Sequence, residues 1–200
     1  SYTYTPKANY NGTDSFVIQV TDGTKISTQE VTVTVASVND LPTIAKAADT
    51  IAVTEDVAFK GTVSAVDVDT TDATPDVITY TASTATKGVV TIDGKTGAYT
   101  YAPNANANGA DSFVVTATDK AGEKATQSIT VNIASVNDAP TADSIAAKTT
   151  PEDSVLAGTM GAKDVDTGDV LTYAVKTQGT KGSVAIAADG SYTYTPLANA

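Results

Sequence analysis

Residues 98–118, which read AYTYAPNANANGADSFVVTAT, repeat residues 1–21, SYTYTPKANYNGTDSFVIQVT, at an offset of 97 positions. The opening hexapeptide returns a third time as SYTYTP at residues 191–196. A second motif, SVNDLPT at residues 37–43, returns as SVNDAPT at residues 135–141. A period of this length is the size of a domain and is far longer than one turn of a solenoid. The sequence is therefore organised as a tandem array of whole domains.

The positions of these motifs predict where each domain begins and ends. Residues 1–40 carry the motifs of the last part of a repeat, residues 41–138 those of one complete repeat, and residues 139–200 those of the first part of a third. After the Asp-Val-Asp-Thr motif, the offset between matching residues falls to 93, as the match of Tyr80 with Tyr173 shows. One loop is therefore expected to be four residues shorter in the third repeat.

Short segments rich in Val, Thr, Ile and Tyr alternate with Gly- and Asp-bearing turns along the complete repeat. Such residues favour strands, and the alternation of Val31, Val33 and Val35 with Thr turns one strand face inward. No segment shows a useful 3.6-residue period. The pattern predicts seven strands, at residues 44–53, 57–66, 77–81, 89–92, 98–101, 112–118 and 126–134. The fold class predicted is all-β, with tandem immunoglobulin-like β-sandwiches and two repeats' worth of chain.

The composition excludes several classes of function. The 200 residues carry 23 acidic and 12 basic side chains, for a net charge of −11, and contain no Cys, His or Trp. Disulfides, the usual zinc, copper and haem sites, and Ser-His or Cys-His catalytic pairs are therefore ruled out. We expect no enzyme, and no nucleic-acid partner for so acidic a chain. We also expect no membrane span, because no apolar run approaches ~20 residues. No signal peptide is visible, so we expect a mature chain or a segment of a longer one.

The acidic residues are mostly Asp, and they recur at matching places in the repeats. Glu55–Asp56 corresponds to Glu152–Asp153, and the Asp-x-Asp motif that starts at Asp67 corresponds to the one that starts at Asp164. Asp favours loops and hard-cation sites, and carboxylates gathered at one place repel each other unless a cation lies among them. Ca²⁺ accepts about 6–8 oxygen ligands with flexible geometry. This recurrence favours calcium binding over a role in solubility alone.

With these motifs in order, the repeat resembles the cadherin-like domains that occur in tandem in very large bacterial surface proteins. The resemblance covers the whole chain and rests on Glu55–Asp56, Asp67-Val68-Asp69, Ile78-Thr79-Tyr80, the hairpin Thr91–Gly97, the turn Ala117–Gly122 and the linker Val136–Pro140. It implies a cadherin-like sandwich and calcium ions at the junctions between consecutive domains.

Carried over to this sequence, the resemblance assigns ligands to two junctions. The first set is Asn39, Asp40, Asp67, Asp69 and Asp119, with Asp14 from the preceding repeat. The second set is Glu55, Asp56, Asp111, Asn137, Asp138, Asp164 and Asp166. The family linker has an Asp before Val-Asn-Asp and an Asn after it, where this chain has Ser37 and Leu41, and the family's Asp-Arg-Glu motif is missing. The resemblance therefore implies one or two ions per junction rather than three.

Other polar and aromatic residues have simpler interpretations. A role in solubility or in turn hydrogen bonds is expected for Asp72, Asp76, Asp143, Asp169 and Asp189. The Tyr-x-Tyr pairs suit a sugar-stacking platform, but alternating aromatic residues more often pack across strands. Asn11-Gly12-Thr13 fits a glycosylation sequon and is interpreted as a turn, because the equivalent Asn108-Gly109-Ala110 lacks the hydroxyl.

Three functions remain open from the sequence. The leading prediction is a structural spacer in a large bacterial cell-surface or secreted adhesin or biofilm matrix protein, rigidified by calcium and contacting neighbouring repeats of the same protein. One alternative is a polysaccharide-binding module. The other is a self-assembling extracellular filament or surface-layer subunit, whose partial domains are completed by further copies of the chain.

Overall fold

The computed structural model describes residues 1–71 and 76–198 and divides the chain into two compact units, Ser1–Ser135 and Val136–Ala200. The regular elements within the described residues are strands, apart from one short 3₁₀ helix at Val68–Thr71. Asp72, which the sequence assigned to solubility, lies outside the described residues. The strands of the first unit are β1 (Gly12–Thr21), β2 (Ile26–Val35), β3 (Thr43–Ile44), β4 (Ala48–Thr54), β5 (Phe59–Thr62), β6 (Ala65–Val66), β7 (Thr79–Ala82), β8 (Gly88–Ile92), β9 (Ala98–Pro103), β10 (Gly109–Thr118) and β11 (Lys124–Ala134).

The complete repeat is a two-layer β-sandwich. One sheet has the strand order β4-β11-β10-β7, and the other has the order β5-β9-β8. Neighbouring strands are antiparallel except for β4 and β11, which run parallel. A third, small sheet joins β3 to β6. The predicted all-β, immunoglobulin/cadherin-like sandwich is therefore confirmed, and its seven predicted strand segments are all present as strands.

The core lies between the two sheets and is built by alternating side chains. On β10, Phe113, Val115 and Ala117 are buried, and the residues between them are only half-buried. On β9 the buried residues are Tyr99 and Tyr101. Phe113 meets Tyr99 edge-to-face at 5.3 Å and stacks on Tyr101 at 6.0 Å between ring centroids. The Tyr-x-Tyr pair of this repeat therefore packs across the core, and its rings are not available as a sugar platform.

Two of the predicted strands are divided in the structure. The segment predicted at residues 44–53 separates into β3 and β4, and the segment at residues 57–66 separates into β5 and β6. The reason lies in the pairing, since β3 pairs with β6 while β4 pairs with β11, and β5 pairs with β9. Each segment passes from one sheet to another, and local alternation carries no signal for such a change of partner.

The N-terminal hairpin repeats the central hairpin of the complete sandwich. Strands β1 and β2 pair antiparallel from Gly12 opposite Val35, as β10 and β11 do from Gly109 opposite Ile133. Phe16 meets Tyr2 edge-to-face at 5.3 Å and stacks on Tyr4 at 6.2 Å, which reproduces the ring geometry around Phe113. Local sequence identity therefore gives the same local structure in a different setting.

The second unit contains one sheet of a sandwich and a small strand pair. Its three-stranded sheet has the order β13-β16-β15, and β12 pairs with β14. These strands correspond one by one to β5, β9, β8, β3 and β6 of the complete repeat. Their bounds are β12 (Thr141–Ala142), β13 (Leu156–Thr159), β14 (Ala162–Lys163), β15 (Gly182–Ile186) and β16 (Ser191–Pro196).

Gly97 closes the hairpin between β8 and β9, and its replacement tests the packing of the sandwich. Its φ is +69°, and a Cβ atom there would overlap the carbonyl oxygen of Val63. Gly122 also has a positive φ, +96°, but a Cβ atom there would meet open space. We expect Gly97→Ala to lower the free energy of unfolding by about 3 kcal/mol, and Gly122→Ala by only about 1 kcal/mol, since it carries the backbone strain alone. Urea denaturation of both variants measures the difference, and equal losses would contradict this packing argument.

Candidate metal centre

Acidic side chains from three separate segments converge beside the linker that precedes the complete repeat. Asp67 and Asp69 lie at the start of the short helix that follows β6, and Asp119 follows β10. All three are at least nine-tenths buried, which is unusual for carboxylates. The linker residues Asn39 and Asp40 contact the same group. The structure therefore brings together five of the six residues that the resemblance assigned to the first junction.

The hydrogen bonds of this group fix its geometry. The Asp69 amide donates to Asp67 Oδ1 at 2.9 Å, and the Asp40 amide donates to Asp69 Oδ2 at 2.7 Å. Asn39 Nδ2 donates to Asp119 Oδ2 at 3.0 Å and to Glu123 Oε2 at 3.2 Å. The linker is thus tied to the Asp-x-Asp loop and to the turn after β10 by direct contacts.

Asp76 completes the cluster, although the sequence had assigned it to solubility. Carboxylate oxygens of Asp67, Asp69 and Asp76 lie within 4.8 Å of one another. Asp76 Oδ2 is buried and accepts no hydrogen bond within the described part of the chain. Partial burial raises the pKa of Asp76, and the nearby charges of Asp119, Asp67 and Asp69 raise it further. The charge of Lys120 opposes these effects but does not outweigh them, so the pocket is net negative around Asp76.

Asp119 is held in its ionised form by its donors. The hydrogen bond from Asn39 is the largest cause that lowers its pKa, and the Glu123 and Gly122 amides add to it against the opposing effect of burial. Both amides donate to Asp119 Oδ1 at 2.7 Å. The carboxylate is therefore fixed in place and charged at neutral pH.

The second unit contains a matching group at its own linker. The Asp138 amide donates to Asp166 Oδ2 at 2.6 Å, and the Asp166 amide donates to Asp164 Oδ1 at 3.0 Å. Asn137 Nδ2 donates to the Asp138 carbonyl at 2.9 Å, as Asn39 does to the Asp40 carbonyl. Asp169 joins Asp164 and Asp166 within 4.8 Å. The same arrangement therefore forms twice, from sequences about 97 residues apart.

Four other residues of the two predicted sets, Glu55, Asp56, Asp111 and Asp14, also make contacts within the first unit. Glu55 is buried after β4, where its amide donates to the Ala134 carbonyl at 3.0 Å. Asp56 has a φ of +62° and accepts a hydrogen bond from the Asn106 amide. Asp111 and Asp14 are engaged by the hydroxyls of Tyr101 and Tyr4, at 2.8 and 2.9 Å.

Asp111 is a structural anchor in the complete repeat. Its Oδ1 accepts from the amide and the hydroxyl of Thr86 and from the Ser112 amide, and its Oδ2 accepts from the Lys87 amide and the Tyr101 hydroxyl. Burial by itself would raise the pKa of Asp111, but the hydrogen bonds from Lys87, Tyr101 and Thr86 outweigh it and hold that pKa well below its usual value. Five donors fill the lone pairs of this carboxylate, which leaves little capacity for a metal ion.

The spacing of the sequence contains a signal, beyond the motifs quoted above, that Asp76 and Asp169 are equivalent. Asp76 and Asp169 are separated by 93 positions, the same offset that relates Tyr80 to Tyr173. Both residues therefore follow the loop whose length differs between the two repeats, and they occupy equivalent positions after it. The offset predicts that they are equivalent, but only the folded loop shows that they face the Asp-x-Asp pair.

The two-sheet sandwich, its partial copies and the repeated acidic clusters define the class of tandem immunoglobulin-like repeat modules. Residues 39–135 match the model of the bacterial cadherin-like domain, and residues 1–35 and 137–200 match the model of the bacterial Ig domain. The chain is therefore similar to bacterial cadherin-like and bacterial Ig domains over these residues. Domains of these families are modules of extracellular proteins with structural and adhesive rather than catalytic roles.

Solved structures with a similar fold are cadherin extracellular domains. Protocadherin Gamma B2 extracellular cadherin domains 1-5 align at 22% identity and a TM-score of 0.55, over 93% of this chain and 39% of that one. Human CDH23 EC21-23 aligns at 20% identity and a TM-score of 0.56, over 93% and 65%. Mouse Cadherin-23 EC22-24 aligns at 22% identity and a TM-score of 0.55, over 92% and 64%. The chain thus spans less than two thirds of each of these structures.

No curated protein matches the sequence. Among the described residues, no helix is long and apolar enough to cross a membrane.

Proposed function

We propose that this chain is a calcium-stiffened spacer segment of a large bacterial cell-surface or secreted adhesin. The observation that carries the proposal is the convergence of Asp67, Asp69, Asp76 and Asp119 on the linker, with a matching group in the second unit. A linker held to a buried acidic cluster is suited to fixing one repeat against the next. The proposed repeats remain 1–40, 41–138 and 139–200.

The residues of the first cluster fit Ca²⁺. Carboxylate oxygens of Asp67 and Asp69 lie within 4.8 Å of Asp76, whose Oδ2 is buried, and the charge of Asp119 is close by. Calcium accepts about 6–8 oxygens in flexible geometry. Asp67, Asp69, Asp76 and Asp119 would hold the ion, with Asp40 and Asn39 beside them. A bound Ca²⁺ would add positive charge among these carboxylates, where Lys120 offsets their repulsion only in part. Asp14 and Asp111 are left out of the proposed ligands because tyrosine hydroxyls and backbone amides already engage them.

Fewer residues of the second predicted set are supported by contacts in the structure. Asn137, Asp138, Asp164 and Asp166 form the same local pattern as the first cluster, and Asp169 is added to them. Glu55 and Asp56 stay in the proposed set, as the resemblance implies.

Calcium titration of the full chain tests the proposal directly. We expect binding at about 10⁻⁴–10⁻³ M, the range of extracellular modules, with a rise in thermal stability. Ligand at 100 times its dissociation constant adds about 2.7 kcal/mol to the state that binds it. Asp69→Asn should weaken calcium binding at the first cluster by roughly tenfold or more, because it removes one ligand charge. Asp49→Asn, which removes a half-buried charge that is paired with Lys46 and lies outside both clusters, is the matched control.

The mechanical part of the proposal needs a separate measurement. Chelation should leave the strands formed, change the small-angle scattering profile, and increase proteolysis at the linkers around residues 37–42 and 135–140. Asp49→Asn should respond to calcium as the original chain does. An unchanged scattering profile with and without chelator would contradict the spacer mechanism even if calcium binds.

Asp76→Asn is expected to have effects of opposite sign with and without calcium. Without the ion, the raised pKa of Asp76 means that its charge disfavours the folded state at neutral pH, so the variant should melt at a higher temperature. With calcium, the loss of a ligand charge should weaken binding and reduce the thermal shift. A variant that melts lower in both conditions would show that Asp76 has only a structural role.

The polysaccharide alternative receives no support from the structure of the complete repeat. Its paired tyrosines, Tyr99 and Tyr101, are core residues.

A further inference from the structure

The two matching three-stranded sheets differ at one edge. Strand β8 is the last strand of the sheet β5-β9-β8, and β15 is the last strand of the sheet β13-β16-β15. Each of these two strands pairs on one side only, with β9 and with β16. An edge strand presents a row of amide and carbonyl groups to which a further strand can bond. The two edges can therefore be compared group by group.

The hydrogen bonds at the two ends of β8 show which of its backbone groups face outward. The Asn104 amide donates to the Lys87 carbonyl at 2.8 Å, and the Asp93 amide donates to the Ala98 carbonyl at 2.8 Å. Because the pairs of an antiparallel ladder alternate, the odd-numbered residues from 87 to 93 bond to β9. The residues between them direct their amides and carbonyls to the free edge, and these are Gly88, Val90 and Ile92.

In the second unit, a side chain closes the same edge. The Leu197 amide donates to the Lys181 carbonyl at 3.0 Å, so that Val184 is the outward-facing counterpart of Val90. Gln178 Oε1 accepts from the Val184 amide at 2.7 Å, and Gln178 Nε2 donates to the Val184 carbonyl at 3.0 Å. The side-chain amide of Gln178 thus takes the place that a peptide group of a neighbouring strand would occupy.

The complete repeat has no such side chain. The loop before β8 reads TATK at residues 84–87, where the second unit reads TQGTK at residues 177–181. Ala85 therefore stands in place of Gln178 and Gly179, and its methyl group neither donates nor accepts a hydrogen bond. Within the described residues, no hydrogen bond reaches the outward amide or carbonyl of Val90. The edge of β8 is therefore open at the position where the edge of β15 is closed.

Strand β8 also lacks the residues that commonly protect an edge. It reads GVVTI, with no charged residue and no proline, whereas β5 at the opposite edge of the sheet carries Lys60. On its outer face, Val89 is 59% exposed and Thr91 is also exposed. Natural sheets usually block pairing between edges with a charge, a proline or a bulge. The edge of β8 is therefore suited to bond another extended strand.

We propose that the open edge of β8 pairs antiparallel with the β8 edge of a second copy of the chain. A two-fold axis at Val90 sets Gly88 opposite Ile92 of the second copy. In this register, all the outward amides and carbonyls of one strand meet those of the other. The two three-stranded sheets then form one six-stranded sheet, and the two-fold symmetry closes the assembly as a dimer.

The charges that flank β8 favour a second copy as the partner. The same register sets Lys87 opposite Asp93 of the second copy, and it does so at both ends of the pairing. Lys87 Nζ donates to the Asn108 carbonyl at 2.7 Å and keeps two further protons. The Lys95 and Thr96 amides donate to Asp93 Oδ1 at 2.8 and 3.0 Å, which holds this carboxylate at the end of the strand. An unrelated strand would not supply both of these opposite charges.

A loop variant that copies the closed edge tests the pairing. Analytical ultracentrifugation of the full chain should show a concentration-dependent dimer. Ala85→Gln with a glycine inserted after residue 85 gives the loop the sequence TQGTK and should weaken dimerisation by about tenfold or more, because the new side chain occupies Val90. The same glycine insertion with Ala85 kept is the matched control, and it should dimerise as the original chain does. Both variants keep Thr86 and Lys87, which donate to Asp111.

A disulfide experiment identifies the register, because the chain has no cysteine of its own. The two-fold axis at Val90 sets Val89 opposite Thr91 of the second copy in a non-hydrogen-bonded pair, whose Cα atoms are about 4.5 Å apart and within reach of a disulfide. Chains carrying Val89→Cys are mixed with chains carrying Thr91→Cys under mild oxidation, and we expect a covalent heterodimer. Lys95→Cys, in an exposed turn, replaces Thr91→Cys in the control mixture and should give much less cross-linking.

Three results would overturn the proposal. The first is a chain that stays monomeric at high concentration, and the second is equal dimerisation of the two loop variants. The third is equal cross-linking in the two mixtures, which also decides the question if the loop variants fail to fold. None of the proposed calcium ligands lies on β8, so these results leave the spacer proposal untouched.

Discussion

Phe113→Ala is expected to lower the free energy of unfolding of the complete repeat by about 3–5 kcal/mol. Phe113 is almost fully buried at the centre of the sandwich, where its ring contacts both Tyr99 and Tyr101. Its removal leaves a cavity between β10 and β9, which are each paired on both sides in their sheets and cannot readily close around it. Native-state hydrogen exchange of the β10 and β11 amides measures the loss in this region of the chain.

The chain contains its own control for this substitution. Phe16 has the same two ring contacts, with Tyr2 and Tyr4, but it is only half-buried and no second sheet covers it. Phe16→Ala should therefore leave the protection of β10 and β11 unchanged. An equal loss of protection in both variants would mean that ring contacts, rather than burial between sheets, dominate the stability of the complete repeat.

Asp111→Asn is expected to lower the free energy of unfolding of the complete repeat by about 2–4 kcal/mol, as measured by the same hydrogen exchange. The amide nitrogen that replaces one oxygen cannot accept a hydrogen bond, so part of the set of five donors around Asp111 loses its partner in a buried place. Asp14→Asn, at the exposed equivalent position on the N-terminal hairpin, is the matched control and should leave the complete repeat unaffected. The comparison separates a buried anchor from the same motif in solvent.

The contribution of Asp111 should also depend on pH. The folded-state pKa of this carboxyl lies below its usual value, so the ionised form stabilises the fold. That stabilisation is fully present above about pH 4, near the ordinary pKa of Asp, and is lost as the pH falls toward the folded-state pKa. The stability difference between the original chain and Asp111→Asn should therefore shrink on acidification. A difference that stays constant between about pH 6 and pH 3 would contradict the anchor role.

The strands were predictable because their signal is local. The alternation along residues 112–118 places Phe113, Val115 and Ala117 on one face, and the structure buries these residues. The divisions of residues 44–53 and 57–66 were not predictable in this way, because each follows from a change of pairing partner. The parallel pairing of β4 with β11 is likewise a property of the whole domain.

The acidic residues likewise include some whose role was predictable from the sequence and others whose role depends on the folded structure. Repetition at a fixed offset was enough to single out Asp67 and Asp69, and the family resemblance added Asp119. The structure places all three together with the linker. Repetition was not enough to identify Asp76, because its position beside Asp67 and Asp69 depends on the folded chain. The sequence also could not distinguish Asp111 from a metal ligand, since its donors at Thr86 and Lys87 lie 25 and 24 residues away along the chain.

By itself, the sequence determines the repeat length, the all-β sandwich and the recurrence of acidic motifs, because spacing and alternation are properties of neighbouring residues. The tertiary structure alone decides which carboxylates converge, which one is consumed by a buried anchor, and which potential strands form. Segments 145–151 and 172–175 show the reason, since both match strands of the complete repeat and neither is a strand in the second unit. A strand needs hydrogen-bond partners from a distant part of a chain, and the local sequence cannot provide them.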